Sequence, residues 1–200
     1  MIKNIIIGQN SFVTKSIKKH LKDPLIFSAN ELSKKSINEK INYYKKINLI
    51  FNNFYPSKLL NNLDHKNYNE LCNLSLERIS LIFETIPSSK INKILYTSSS
   101  AIYRLVKNIN NQKSDHYNRE LYSSFKLAAE KLILNYSISK NKDYFIMRLF
   151  NTYGNPKDKF SFIEKIIRAK KNRNQLMLIN EGMSLRDFVY IDDIGKIYAI

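Results

Sequence analysis

Tyr122 and Lys126 lie four residues apart in the segment YSSFK, a spacing that on a helix puts both side chains on one face. A phenol with an ordinary pKa of about 10 is a weak base at neutral pH. An ammonium beside it favours the ionised form, so the pair is an acid/base device for a hydroxyl or a carbonyl. Ser98, Ser99 and Ser100 close the apolar segment that precedes it in the chain, where a hydroxyl would hydrogen-bond the reacting oxygen beside the phenol. A second candidate is GQNSFVT at positions 8–14. A dinucleotide loop uses three glycines: for the tight turn, for close approach of the backbone to a pyrophosphate, and for packing of the helix on the strand. Gly8 is present, while Ser11 and Thr14 stand where the second and third would fall. Their backbone N–H groups can still face an anion at the helix start.

These residues need elements to carry them. Residues 2–7 are a short β-branched run ending at Gly8, the pattern of a buried parallel strand. Apolar periodicity predicts helices over 14–22, 36–46, 67–86 and 114–139, with further strands over 25–28, 48–53, 94–97 and 144–150. Pro56-Ser57 supplies turn chemistry, and Pro87 ends the helix before it. Strand and helix alternate, which predicts an α/β fold with a doubly wound parallel sheet covered on both faces. Ligands bind such sheets at the carboxyl ends of the strands, where GQNSFVT and the serine cluster fall.

The 200 residues suffice for one large domain, or for a nucleotide-binding domain with part of a second. A hydrophobic share of 44%, a charged share of 25% and 12% aromatics exclude a disordered or fibrous chain. No apolar run reaches the roughly 18 residues of a membrane helix, and MIKNIIIGQNSF lacks the pattern of a secretory signal. A cytoplasmic protein without a membrane partner is expected. The net charge of +16 raises nucleic acid as a partner, but the lysines are scattered in ones and twos in a chain rich in Lys, Ile and Asn. No nucleic-acid partner is therefore expected, and attraction to an anionic small molecule stays open. Cys72 is expected to be a buried small hydrophobe. His20, His65 and His116 lack partners at ligand spacing and are expected at the surface. Asp192 and Asp193 suit a helix start, so no metal is expected there.

Five segments in order, GQNSFVT, LYTSSSAIY, YSSFKLAAEKL, MRLFNTYGNP and GMSLRDFVYIDDI, resemble the extended short-chain dehydrogenase/reductase family. The likeness is to its NAD-dependent epimerase/dehydratase branch, which acts on nucleotide sugars. It implies a Rossmann-type NAD(P)-binding domain over 1–150 and the start of a small substrate-binding lobe over 151–200. Relatives continue for about a hundred residues more, the size of a full lobe, so the lobe is expected to be incomplete. By the resemblance, Tyr122 is the catalytic acid/base, Lys126 its tuner and ribose contact, and Ser99 the substrate-positioning hydroxyl. Gly8, Ser11, Phe12 and Val13 fall on the phosphate loop, and Asn73 on the helix behind the active site. Asn151 matches a contact to the sugar nucleotide, and Arg186 a diphosphate-binding arginine, a role suited to a planar, always-charged fork. Arg148 is open between a structural ion pair and the active-site wall. Relatives often dimerise through their long helices, here 67–86 and 114–139, which makes a homodimer the assembly the resemblance suggests.

The turn after Ser99 bears on the reaction. Ser100 and Ala101 stand where related dehydratases carry acids, and relatives that epimerise beside a ketone place a cysteine at the position of Ala101. Elimination would lack its proton carrier. The expectation is a nucleotide-sugar 4-epimerase or 4-ketoreductase, the alternative a non-catalytic nucleotide or sugar-nucleotide binding protein of the same fold. NAD is the expected cofactor and NADP stays open. Ser28-Ala29-Asn30 stands where the resemblance calls for the acidic residue that would hold the adenosine ribose, Glu31 is a candidate substitute, and Lys15 could meet a 2′-phosphate. The bulky segment NNFYP at 52–56 is expected to narrow the pocket beside the ribose.

Overall fold

Successive apolar residues end the segments IKNIII and KINLIF and fill the middle of INKILYTSS, so strands built from them must bury both faces. The structure, a computed structural model, describes residues 2–52, 68–103, 121–155, 157, 161–178, 182, 183 and 185–199. In chain order the first elements are β1 (Ile2–Ile7), α1 (Phe12–His20), β2 (Leu25–Phe27), α2 (Lys34–Ile41) and β3 (Lys46–Phe51). Next, α3 (Tyr68–Cys72) runs through a π-helical segment, Asn73–Glu77, into α4 (Arg78–Thr85), followed by β4 (Ile91–Ser99). Then come α5 (Leu121–Ser139), β5 (Asp143–Leu149), β6 (Asn151–Tyr153), α6 (Phe162–Asn172), β7 (Phe188–Tyr190) and α7 (Ile191–Ile197).

The five long-range strands pair in parallel in the order β2-β1-β3-β4-β5, and β6 and β7 form a separate parallel pair. This is the expected doubly wound α/β sheet, whose order reverses between β1 and β3. Alternate residues feed its two faces. Ile5, Ile7, Leu49, Phe51, Ile94 and Tyr96 pack with Ile37 and Ile41 of α2, Ile79 and Ile82 of α4, and Ala129 and Ile133 of α5. Ile6, Ile50 and Leu95 face the other way, onto Ile17 of α1, Ile194 of α7 and Tyr198. Between the strands, Asn92 Nδ2 donates to Asn48 Oδ1 and Asn48 Nδ2 to Asn4 Oδ1, both at 2.9 Å.

Caps account for where the boundaries differ from the sequence reading. α1 starts at Phe12 because the Ser11 hydroxyl accepts the Val13 N–H at 3.1 Å. α2 starts at Lys34 behind a Ser33/Ser36 capping box and stops at Ile41, leaving Lys46 to open β3. β4 extends over Ile91–Ser99, longer than the predicted 94–97. The turn at 56–57, His65, His116 and residues 114–120 of the fourth predicted helix lie outside the described residues. Cys72 is exposed rather than buried. Among the described residues, no helix is long and apolar enough to cross a membrane.

α7 is seated on α1 through Gly195, where an added Cβ would lie 2.4 Å from Ser16 Oγ and 2.8 Å from the Ser16 carbonyl carbon. Ser16 Oγ donates to the Ile191 carbonyl at 2.8 Å. His20 is not a free surface residue, because its Nε2 lies 3.1 Å from Asp192 Oδ1 in the first turn of α7. Gly195→Ala is therefore expected to lower stability by about 2 kcal/mol through overpacking, read as a lower urea midpoint at unchanged slope. An unchanged midpoint would show that α7 is not held against α1.

Candidate active site

The loop after β1 turns on Gly8, whose φ is +116°. A Cβ there would lie 1.6 Å from the Asn52 carbonyl oxygen, so the ends of β1 and β3 touch backbone to backbone. Thr14 then takes the place of a loop glycine by turning inward. Its hydroxyl donates to the Gly8 carbonyl at 2.5 Å and accepts from Asn52 Nδ2 at 2.6 Å. Thr14 is thus a buried side-chain tie between α1 and two strand ends. Ser11, Phe12 and Val13 are left to present the start of α1 to a ligand. Asn52 is folded into the same tie and forms part of the cleft wall; positions 53–56 lie outside the described residues.

The second component stands at the end of β4. Ser99 opens a single 3₁₀ turn, Ser100–Ile102, its Oγ accepting the Ala101 N–H at 3.2 Å. The Ser99 hydroxyl stands beside the Tyr122 phenol on the same cleft and acts to lower its pKa. One helical turn further along α5, Lys126 is buried with its Nζ donating to the Thr97 carbonyl at 3.0 Å. Its ammonium stands 5.1 Å from the Tyr96 ring centroid and 6.0 Å from that of Tyr122. Burial pulls the Lys126 pKa down to about 8, against the opposing pull of the Glu130 carboxylate. Burial also raises the Tyr122 phenol above its ordinary value, with Ser99 acting the other way. The net direction is therefore upward, opposite to the lowering that spacing alone predicts. Arg148 resolves as a structural ion pair: Nε and Nη2 meet the two Glu130 carboxylate oxygens at 3.1 and 2.8 Å, and the guanidinium lies 5.0 Å from the Tyr103 ring centroid.

Both components open on one cleft of about 380 Å³. Asn10, Ser11, Phe12 and Val13 line one side, and Thr97, Ser98, Ser99, Tyr122 and Lys126 another; Asn52, Leu149, Phe150 and Thr152 complete the described wall. Gly8 is not among the described lining residues but contacts Asn52, which is. Asn151 and Arg186 are not among the lining residues: both are exposed, and Asn151 Nδ2 donates to the Asp187 carbonyl at 3.1 Å. Asn73 is exposed on the π-helical segment, where its amide, oriented as a donor, meets Asn69 O at 3.1 Å and Glu77 Oε2 at 2.8 Å. Sequence reasoning missed Thr97 and the inward role of Asn52. A polar residue closing an apolar strand was the available signal for Asn52, and the Thr97 contact is made by its main chain, which carries no residue-type signal.

A dinucleotide fits these residues on one observation. Asn52 Oδ1 and Ser98 Oγ are buried at the cleft with no hydrogen-bond partner among the described residues, a condition costing about 1–3 kcal/mol per group unless a polar ligand supplies the partner. Fold and site together place Ser99, Tyr122 and Lys126 on one cleft of a doubly wound parallel sheet, with the start of α1 and the reversal of strand order between β1 and β3 on its other side.

The chain belongs to the NAD dependent epimerase/dehydratase family, whose sequence model matches residues 29–200. A dTDP-D-glucose 4,6-dehydratase from Dictyostelium discoideum is 27% identical over 131 residues, which cover 60% of this chain and 30% of that protein. Among solved structures, UDP-N-acetylglucosamine 4-epimerase from Methanobrevibacter ruminantium superposes with a TM-score of 0.75 at 17% identity, covering 97% of this chain and 70% of that one. UDP-glucose 4-epimerase from Thermus thermophilus, solved with NAD, gives 0.78 at 13% identity, covering 100% and 73%. The chain thus spans only 30% and 35% of the lengths of two curated relatives it matches.

The Lys126 shift has a testable sign. Its folded pKa of about 8 lies below the ordinary 10.5, so its charge opposes folding. The penalty is fully present below about pH 8 and fades as pH rises towards 10.5, because in that window the unfolded chain binds the proton that the folded chain has lost. Urea melts should show wild type gaining stability relative to Lys126→Met between pH 8 and 10.5. A constant difference would mean that Lys126 is not desolvated.

Proposed function

We propose that this chain is the cofactor-binding and catalytic part of an NAD-dependent nucleotide-sugar enzyme that oxidises or reduces one sugar carbon, as a 4-epimerase or 4-ketoreductase. The observation that carries this reading is the meeting of Ser99, Tyr122 and Lys126 on the same cleft that the start of α1 lines. Ser11, Phe12 and Val13 would hold the diphosphate of the cofactor at the start of α1, with Asn52 and Lys126 meeting ribose hydroxyls. A bound nicotinamide would supply hydride acceptance and return.

The chain's own side chains manage the proton. Tyr122, its pKa raised by burial, is protonated at neutral pH and stands ready to protonate a carbonyl oxygen. In the opposite direction the phenolate takes the proton of a sugar hydroxyl, steadied by the Ser99 hydroxyl and the Lys126 ammonium. Ser99 also holds the reacting oxygen in place beside the phenol. The choice of a redox step over elimination is supported by the turn after Ser99, which carries Ser100 and Ala101, and by the absence of a carboxylate among the described lining residues. Arg186 and Asn151, on the segment around β6 and β7, would contact the diphosphate and sugar of the substrate.

Nicotinamide fluorescence with NADH and NADPH, with and without UDP-glucose, tests the reading directly. Saturable NADH binding that is tighter than NADPH binding is expected, and no binding of either would overturn the reading. Tyr122→Phe should lower 4-epimerisation or ketone reduction by about a hundredfold or more, with NADH affinity within about twofold of wild type. Undiminished turnover in that variant would remove Tyr122 from the mechanism.

A further inference from the structure

Lys126 is reached from both faces of the sheet. From one face it extends out of α5, whose Ala129 and Ile133 pack in the larger core. On the other face lies Tyr198, directly after α7 and 4% exposed, its phenol hydrogen-bonded to the Thr97 hydroxyl. Thr97 joins the two, since its side chain meets Tyr198 while its carbonyl accepts from Lys126 Nζ at 3.0 Å.

Packing alone does not call for these two hydroxyls. Tyr198 sits in a cluster with Ile6, Ile17, Ile50, Leu95 and Ile194, where phenylalanine would fill nearly the same space and valine would replace threonine in the strand. Each hydroxyl would be costly there without the other. Tyr198 is also held from behind. α7 bears on α1 at Gly195, through Ser16 Oγ to the Ile191 carbonyl at 2.8 Å and through His20 to Asp192 at 3.1 Å. It follows β7 without a break, and β7 pairs with β6, whose Thr152 lines the cleft.

We propose that Tyr198 is a positioning residue: by holding Thr97 it sets the carbonyl that orients the Lys126 ammonium, and thereby ties the placement of the β6–β7 pair to the acid/base set. This rests on the proposed function for its catalytic meaning, though not for the physical coupling. The ionisable groups around the path are the phenols of Tyr96 on β4 and Tyr122 on α5, together with the Glu130 carboxylate, which is itself paired with Arg148 on β5.

The test uses Tyr198→Phe and Thr97→Val, each of which removes one hydroxyl and keeps the volume. The Lys126 titration is followed by NMR in protein labelled with ¹³C-lysine, its signal assigned by comparison with Lys126→Met. Both variants should move that titration to lower pH, because a displaced carbonyl leaves the buried ammonium without its acceptor. With UDP-glucose as substrate, kcat should fall about tenfold while KM stays within about twofold, and the double variant should be no worse than either single one. Variants that melt earlier but keep the wild-type Lys126 titration would overturn the proposal, leaving the hydroxyl pair a purely structural contact. If wild type turns over no sugar, the proposed function fails, and the lysine titration still decides the coupling by the same two outcomes.

Discussion

The Asn52 carbonyl occupies the space in which any side chain at position 8 would begin, only 1.6 Å from where a Cβ would stand. The ends of β1 and β3 are consequently in backbone contact, at the place where the strand order of the sheet reverses. The rest of the site follows from that contact. It brings the Thr14 hydroxyl within reach of both the Gly8 carbonyl and the Asn52 amide, which anchors the first turn of α1. It also leaves one Asn52 oxygen at the cleft without a partner. In this loop, which has one glycine, the Thr14 hydroxyl ties helix to strand ends by hydrogen bonding.

Across the cleft, burial governs the electrostatics. Lys126 and Glu130 lie one helical turn apart on α5, both 4% exposed. Glu130 answers two cations, supporting charge on Lys126 while its oxygens are gripped by Arg148. Arg148 in turn lies over Tyr103, just beyond the 3₁₀ turn that Ser99 opens. Lys126 is therefore continuous with an ion pair and an aromatic ring that are not among the described lining residues of the cleft, a layer of the kind that holds side chains in one orientation.

Much of this was legible in the residues. Isoleucine runs ending at Gly8 and Asn52 gave the strands, because only a sheet buried on both faces accommodates them. The four-residue spacing of Tyr122 and Lys126 gave their shared helix face. Properties set by neighbours distant in sequence were not legible. The direction of the Tyr122 shift depends on how deeply α5 is packed, which spacing does not encode. The inward ties of the Thr14 hydroxyl could not be read, because a hydroxyl at a loop position suits an outward or an inward orientation equally well. Cys72 was expected in the core on the habits of its residue type, whereas α3 turns it to solvent. Asn151 and Arg186 matched motifs, yet motif order says nothing of whether a side chain lines the described cleft.

The asparagine ladder has a consequence for how unambiguous the fold is. β1, β3 and β4 are spelled from nearly the same letters, isoleucine with lysine and asparagine, and such strands by their apolar residues alone could align at several offsets. A one-residue slip would exchange the two faces of a strand. Asn4, Asn48 and Asn92 meet as donor and acceptor in a single alignment, with the irregularity at Ile47/Asn48 taking up the difference in their positions. In a composition that leaves little variety for distinguishing one strand from the next, three amides serve as the address by which each strand finds its neighbour.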